Sequence, residues 1–274
     1  MNKFILSLLL MLVLAFPKAS IAKEVISKFA INSYTVAPTL VELDLQKSRA
    51  GILILTNNTK NTYKIKVNCM YFTPEELHIG KHIANETAKK EDISKLVIIS
   101  PKVVLLRPMS KRKIRYSLRP DGKKRPDGEY RASFDFMPVV NKFATEKEKK
   151  QEGVSTKINW LLELRLPLYV NIGKREKSKL EVKAKTIIDE KDNSKSIQLS
   201  MINNTNWRYP AEFLFFDKKT GEQIGRSVAV MLRETEFTKI VKLEKQPKGK
   251  EVIVKWHSYL ETSPGEEGEL TFKY

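Results

Sequence analysis

The 274-residue chain has one cysteine and three histidines. The lone Cys69 excludes an internal disulfide framework and any cysteine-based zinc finger. So few histidines leave most metal and acid–base sites without their commonest ligand. His78 and His82 stand four apart, but the segment His-Ile-Gly-Lys-His lacks the glutamate of a zinc-protease helix and carries an internal glycine. They read as surface polar residues, and His257, in Val254-Lys255-Trp256-His257, has no evident partner. There is no Gly-x-Ser-x-Gly elbow, phosphate loop or paired-carboxylate motif. No internal repeat stands out. These absences argue against an enzyme and imply no metal, no other cofactor and no small-molecule substrate.

What is present can fold. A hydrophobic fraction of 41% with 9% aromatic residues is enough to build real cores. Met1–Ala22 has the parts of a secretory leader: Lys3, an apolar run from Phe4 to Phe16, and the small-x-small pattern Ser20-Ile21-Ala22. The expected arrangement is a leader at 1–22 and an exported mature chain from Lys23. The alternation Tyr63, Ile65, Val67, Cys69, Tyr71 puts Cys69 on the apolar face of a strand, as a structural thiol.

Fifty Lys and Arg against 32 Asp and Glu give a net charge of +18. Residues 23–173 hold 28 basic and 16 acidic side chains, and residues 174–274 hold 20 and 16. Between Arg107 and Arg125 nine basic residues face one acid, Asp121. Such a run is either a solvated hairpin or a site for a polyanion, and in a lysine-rich chain the first is the commoner. Export and the lack of interleaved aromatics exclude nucleic acid as a partner.

Short alternating segments separated by turn residues fill both halves: 51–55, 63–72, 96–107, 113–118 and 130–136, then 180–188, 196–202, 211–216, 227–232, 237–243, 251–259 and 269–274. This spacing predicts an all-β chain of two sandwiches, with residues 23–172 in the first and 173–274 in the second. Thr73-Pro74-Glu75-Glu76 predicts one helix start, and the charged stretch 141–153 predicts a loop.

One strand is too long. From Ile158 to Ile172 every even position is apolar, which at about 3.3 Å per residue makes a strand of roughly 50 Å. Pro167 argues for an edge or a bend. A long apolar edge is normally blunted, so leaving it sharp suggests pairing with another chain by strand addition. For Leu166–Ile172 the row reads as cover for the protein's own core. For Val154–Leu162 both uses stay open.

Several segments, in order, resemble the periplasmic pilus-assembly chaperones of the chaperone–usher pathway. They are Val36-Ala37-Pro38-Thr39-Leu40-Val41, Gly51–Asn57, Ile98-Ile99-Ser100-Pro101 with Arg107-Pro108, Pro126–Arg131 running to Met137-Pro138, and Asn203-Asn204-Thr205 leading to Tyr209-Pro210. The resemblance implies two immunoglobulin-like domains in an angled, boomerang arrangement, in the periplasm. It implies pilus or fimbrial subunits as partners, held by a donor strand carrying Val154, Thr156, Ile158, Trp160 and Leu162, and handed to an outer-membrane usher. It puts Arg165 at a position that anchors the subunit's carboxylate. Leu40 falls where the family has a first-strand arginine, and Tyr169 near its interdomain arginine, while Glu129 matches the family's acid. The free protein would be able to self-associate through the same edge. The rival expectation is a secreted β protein binding anionic envelope polymer through Arg107–Arg125.

Overall fold

The computed structural model describes residues 34–73, 90–139, 163–188 and 194–274. The expected leader, the helix after Thr73, the loop at 141–153 and the strand segment 154–162 with its five donor side chains lie outside them, as do His78 and His82. The described chain is two immunoglobulin-like β-sandwiches.

The first sandwich holds β1 (Tyr34–Ala37), β2 (Val41–Asp44), β3 (Ala50–Asn57), β4 (Tyr63–Met70), β5 (Val97–Ser100), β6 (Val103–Leu106), β7 (Lys111–Leu118), β8 (Gly128–Val139) and β9 (Leu164–Ile172). Sheet β1-β3-β7-β5 packs on sheet β2-β9-β8-β4-β6. The period-2 alternation of these strands buries one row of each, Leu53, Leu55, Ile114, Phe134, Phe136 and Leu168 among them. Tyr130, near the start of β8, donates its hydroxyl to the Pro126 carbonyl at 2.9 Å, the tyrosine corner of immunoglobulin-like folds.

Three crossings depart from the sequence reading. The segment 36–41 is not one strand: the chain breaks after Ala37, β1 pairing β3 in one sheet and β2 pairing β9 in the other. The segment 96–107 also divides, because Pro101 has no N–H to continue a ladder. Here β5 pairs β7, whereas β6 pairs β4 in the opposite sheet. Met109, with φ at 51°, then turns the chain back across to β7. The basic run from Arg107 to Arg125 is therefore no hairpin. Its strand β7 is interior to a sheet, and Lys113 and Arg115 stand exposed opposite Ile54 and Ile52.

The second sandwich holds β10 (Glu181–Ile188), β11 (Lys195–Asn203), β12 (Tyr209–Asp217), β13 (Gln223–Met231), β14 (Thr235–Val241), β15 (Glu251–Ser258) and β16 (Gly268–Lys273). Sheet β10-β11-β14 packs on β13-β12-β15-β16 around Leu199, Met201, Phe213, Phe215, Val252 and Val254.

A device recurs that the sequence did not announce as a repeat. At the end of β3, buried Asn57 donates its side-chain amide to the carbonyls of Asn61, Leu106 and Arg107 and accepts from the Thr59 N–H and hydroxyl. At the end of β11, buried Asn203 donates to Trp207, Met231 and Leu232 and accepts from the Thr205 N–H and hydroxyl. Asn57-Asn58-Thr59 and Asn203-Asn204-Thr205 thus close the same corner in both sandwiches.

Cys69 is half-buried on β4 opposite Phe134 and packs against the core. Burial, with Asp135 and Asp92 nearby, pushes its thiol far above the usual range, so it stays a neutral packing group.

Candidate functional site

The site begins on β9. Leu166, Leu168 and Val170 are buried in the first core, with Leu164 and Ile172 packed against it. Arg165, Pro167, Tyr169 and Asn171 alternate on the other face. On one side β9 pairs β8 along its whole length, while β2 runs beside it only from Leu168 to Asn171. Pro167 sits one residue ahead of that overlap, at the edge that its missing N–H calls for.

Arg165 lies directly across from Asp135 on β8, and its Nε donates to Asp135 Oδ1 at 3.0 Å. Asp135 is fully buried and also accepts from the Ser133 hydroxyl at 3.0 Å. Burial raises the Asp135 carboxyl above its ordinary range, against the pull of Arg165 and Ser133. The guanidinium expected to face a partner's carboxylate therefore also holds an internal one.

Leu40 supplies packing and no charge. It lies against a small apolar cluster of Phe72, Tyr169 and Leu232, joined by Val230, that draws on both sandwiches. Phe72 and Tyr169 meet edge-on with ring centroids 6.0 Å apart.

Around that cluster runs a charge network. Arg208, fully buried at the entrance to β12, lies with its guanidinium 3.7 Å from the Tyr169 ring centroid. It pairs with Glu42 on β2 and approaches Glu129 at 3.4 Å. Arg175 approaches the same Glu129 carboxylate at 3.6 Å. Burial raises the Glu129 carboxyl to about 7, against the pull of Arg175 and Arg131, and lowers Arg208 to about 10. Beside it, Arg131 pairs with Glu91 at 2.7 Å, and both bond the Tyr71 hydroxyl. Tyr169 leaves the first sandwich without a guanidinium at its position, and Arg208 brings one from the second. Sequence reasoning missed Arg208; its signal is a lone cation between Trp207 and Tyr209 at the head of an apolar strand.

Backbone contacts tighten this junction. The Glu129 N–H donates to the Asn206 carbonyl at 2.8 Å, and Arg233 donates to the Glu129 carbonyl at 3.2 Å and to Asn206 Oδ1 at 3.0 Å. Gly128 sits at φ 152°, where a Cβ would lie 2.8 Å from the Arg233 guanidinium. Gly173, just past β9, sits at φ 79° against the Asp127 carboxylate, which a Cβ would overlap. Both positions exclude a side chain.

By sequence the chain matches no family model and no curated protein. Its fold does match solved structures. The E. coli chaperone DraB is similar over 87% of this chain and 95% of its own, at 11% identity and a TM-score of 0.50. The chain has the fold of the chaperone–usher pilus chaperones. Other similar structures are the Salmonella enterica SafA pilin in complex with the SafB chaperone (11% identity, TM-score 0.49, covering 89% of this chain and 97% of that one) and the Pseudomonas aeruginosa CupB2 chaperone (10% identity, TM-score 0.48, covering 87% and 99%).

Among the described residues no group of three or more His, Cys, Asp or Glu converges as a metal site. His257, which the sequence left without a partner, has its Nε2 3.1 Å from Glu212 Oε2 on the surface.

Proposed function

We propose that this protein is a periplasmic chaperone that captures pilus or fimbrial subunits by lending them a strand and passes them to an outer-membrane usher. The observation that carries this reading is β9 in a fold shared with the DraB chaperone. Its apolar row enters the core at Leu164, and the same even-numbered row continues backward in sequence through Leu162, Trp160 and Ile158. A partner sandwich lacking a strand would take backbone hydrogen bonds from this segment and fill its own groove with the row.

Burying four or five such side chains contributes about 6–15 kcal/mol before ordering costs. A carboxylate contact at Arg165 adds only about 1.5–3 kcal/mol. The row therefore sets affinity, and Arg165 sets register. Residues 34–44 carry no lysine or arginine, so no cation of β1 or β2 joins Arg165 in that task. The neutral Leu40 fits a subunit whose end is held chiefly by its apolar groove.

The test is co-purification from the native envelope. The tagged chain should bring down subunit proteins identifiable by mass spectrometry, and Trp160→Asp should lose them while keeping a native melting transition. Retention of the same partners by Trp160→Asp would remove strand donation as the mechanism. Binding that ignores Trp160 and falls steeply with salt would favour an anionic polymer instead.

A further inference from the structure

At the junction of the two sandwiches lies a concavity of about 360 Å³. Lys123, Lys124, Arg125 and Tyr130 line it from the first sandwich, and Asn206, Arg233 and Glu234 from the second. Lys90 brings the cations to five against the single acid, Glu234, which pairs with Lys90 and, at 3.5 Å, with Arg233. Arg125 is partly engaged by Asp121 at 2.6 Å. Lys123 and Lys124 are exposed and make no ion pair with the described residues.

The floor is built rather than loose. The Tyr130 ring, fixed by its corner hydrogen bond, lies between two guanidiniums, Arg125 at 5.4 Å and Arg233 at 5.5 Å from its centroid. Arg233 is only 6% exposed and is oriented by the Glu129 carbonyl and the Asn206 side chain. Among the described residues the buried Nε atoms of both arginines have no hydrogen-bond partner. Two guanidiniums near one ring, each with one carboxylate neighbour, and two ammonium groups at the rim without an ion pair among the described residues leave an excess of positive charge in a recess.

We propose that this recess binds a soluble oligophosphate. Planar guanidiniums match phosphoryl oxygens in pairs, and the two lysines supply point charges for a second and third phosphoryl group. A concave site walled by both sandwiches suits a compact free anion better than a flat charged membrane. Such a ligand would touch both halves at once and so resist their separation. The site uses none of the residues assigned to strand donation and stands independently of that reading.

The experiment titrates inorganic tripolyphosphate into the full chain by calorimetry at fixed ionic strength. Saturable one-to-one binding is expected, together with a raised melting temperature, since the ligand binds only the folded state. The double variant Lys123→Glu/Lys124→Glu should weaken binding about tenfold or more. Lys111→Glu/Lys113→Glu, the same charge change on β7, should leave it within about twofold. Equal losses in the two double variants would reveal unspecific charge attraction and overturn the proposal, as would the absence of saturation. Recruitment to phosphatidylglycerol vesicles without tripolyphosphate binding would overturn it too.

Discussion

Arg208, from the second sandwich, lies over the ring of Tyr169, from the first, with its guanidinium 3.7 Å from the ring centroid. The same guanidinium pairs with Glu42 and approaches Glu129, so one buried side chain links two strands of the neighbouring sandwich. Removing it would leave Glu42 without its partner and Glu129 with Arg175 alone, and would open a gap over the Tyr169 ring. Arg208→Ala should destabilise the protein by about 3–5 kcal/mol, the usual effect of breaking a buried ion pair. Arg208→Lys keeps the charge but loses the forked guanidinium over Tyr169, and should fall between the native protein and Arg208→Ala in urea unfolding.

Glu129 makes stability depend on pH. Its carboxyl is raised to about 7 in the folded chain from an ordinary value near 4.5. The native state therefore holds this proton more tightly than the unfolded chain does. Its contribution is fully present below pH 4.5 and is lost as pH rises through 7. Glu129→Gln cannot titrate. The stability of the native protein relative to that variant should thus decline between those limits and level off above them, as followed by urea unfolding across the range.

Arg165 needs a paired test, because it serves Asp135 inside the protein. Arg165→Ala alone leaves a buried carboxylate without its cation and should cost about 1–3 kcal/mol. Adding Asp135→Asn removes that charge, and the double variant should regain most of the loss. If Arg165 also anchors a subunit, the double variant will melt like the native protein and still bind subunits more weakly. Native-strength binding by that variant would confine Arg165 to an internal role.

The two asparagine corners should matter equally. Asn57→Ala and Asn203→Ala each strand three backbone carbonyls in a buried turn, and each should lower stability by about 1–3 kcal/mol or more. Asp at either place keeps the acceptor but has no amide to donate, so it should not rescue the fold. Thermal melting of the four variants checks this.

Most strands were legible because alternation is a local signal: Tyr130, Ala132, Phe134 and Phe136 point inward as their spacing requires. What alternation cannot carry is sheet membership. Pro38 and Pro101 mark places where a ladder can stop, but nothing in 36–41 or 96–107 says that the chain crosses to the other sheet there, since both sheets demand the same period. The core half of β9 was legible for the same reason, and Pro167 fell at an edge. The junction was only half legible. Glu129 stood out through a resemblance, whereas Arg208 lies 166 positions from Glu42 in the sequence. Its pairing with Glu42 and Tyr169 is a tertiary contact that no local pattern encodes.

The crossing after Ala37 has a mechanical consequence. Between Leu168 and Asn171, β9 is clamped by β2 running in the same direction and by β8 running in the opposite one. Tension applied along β9 by a bound polypeptide would load both ladders in shear, so that many bonds must fail together. It would not peel them one at a time.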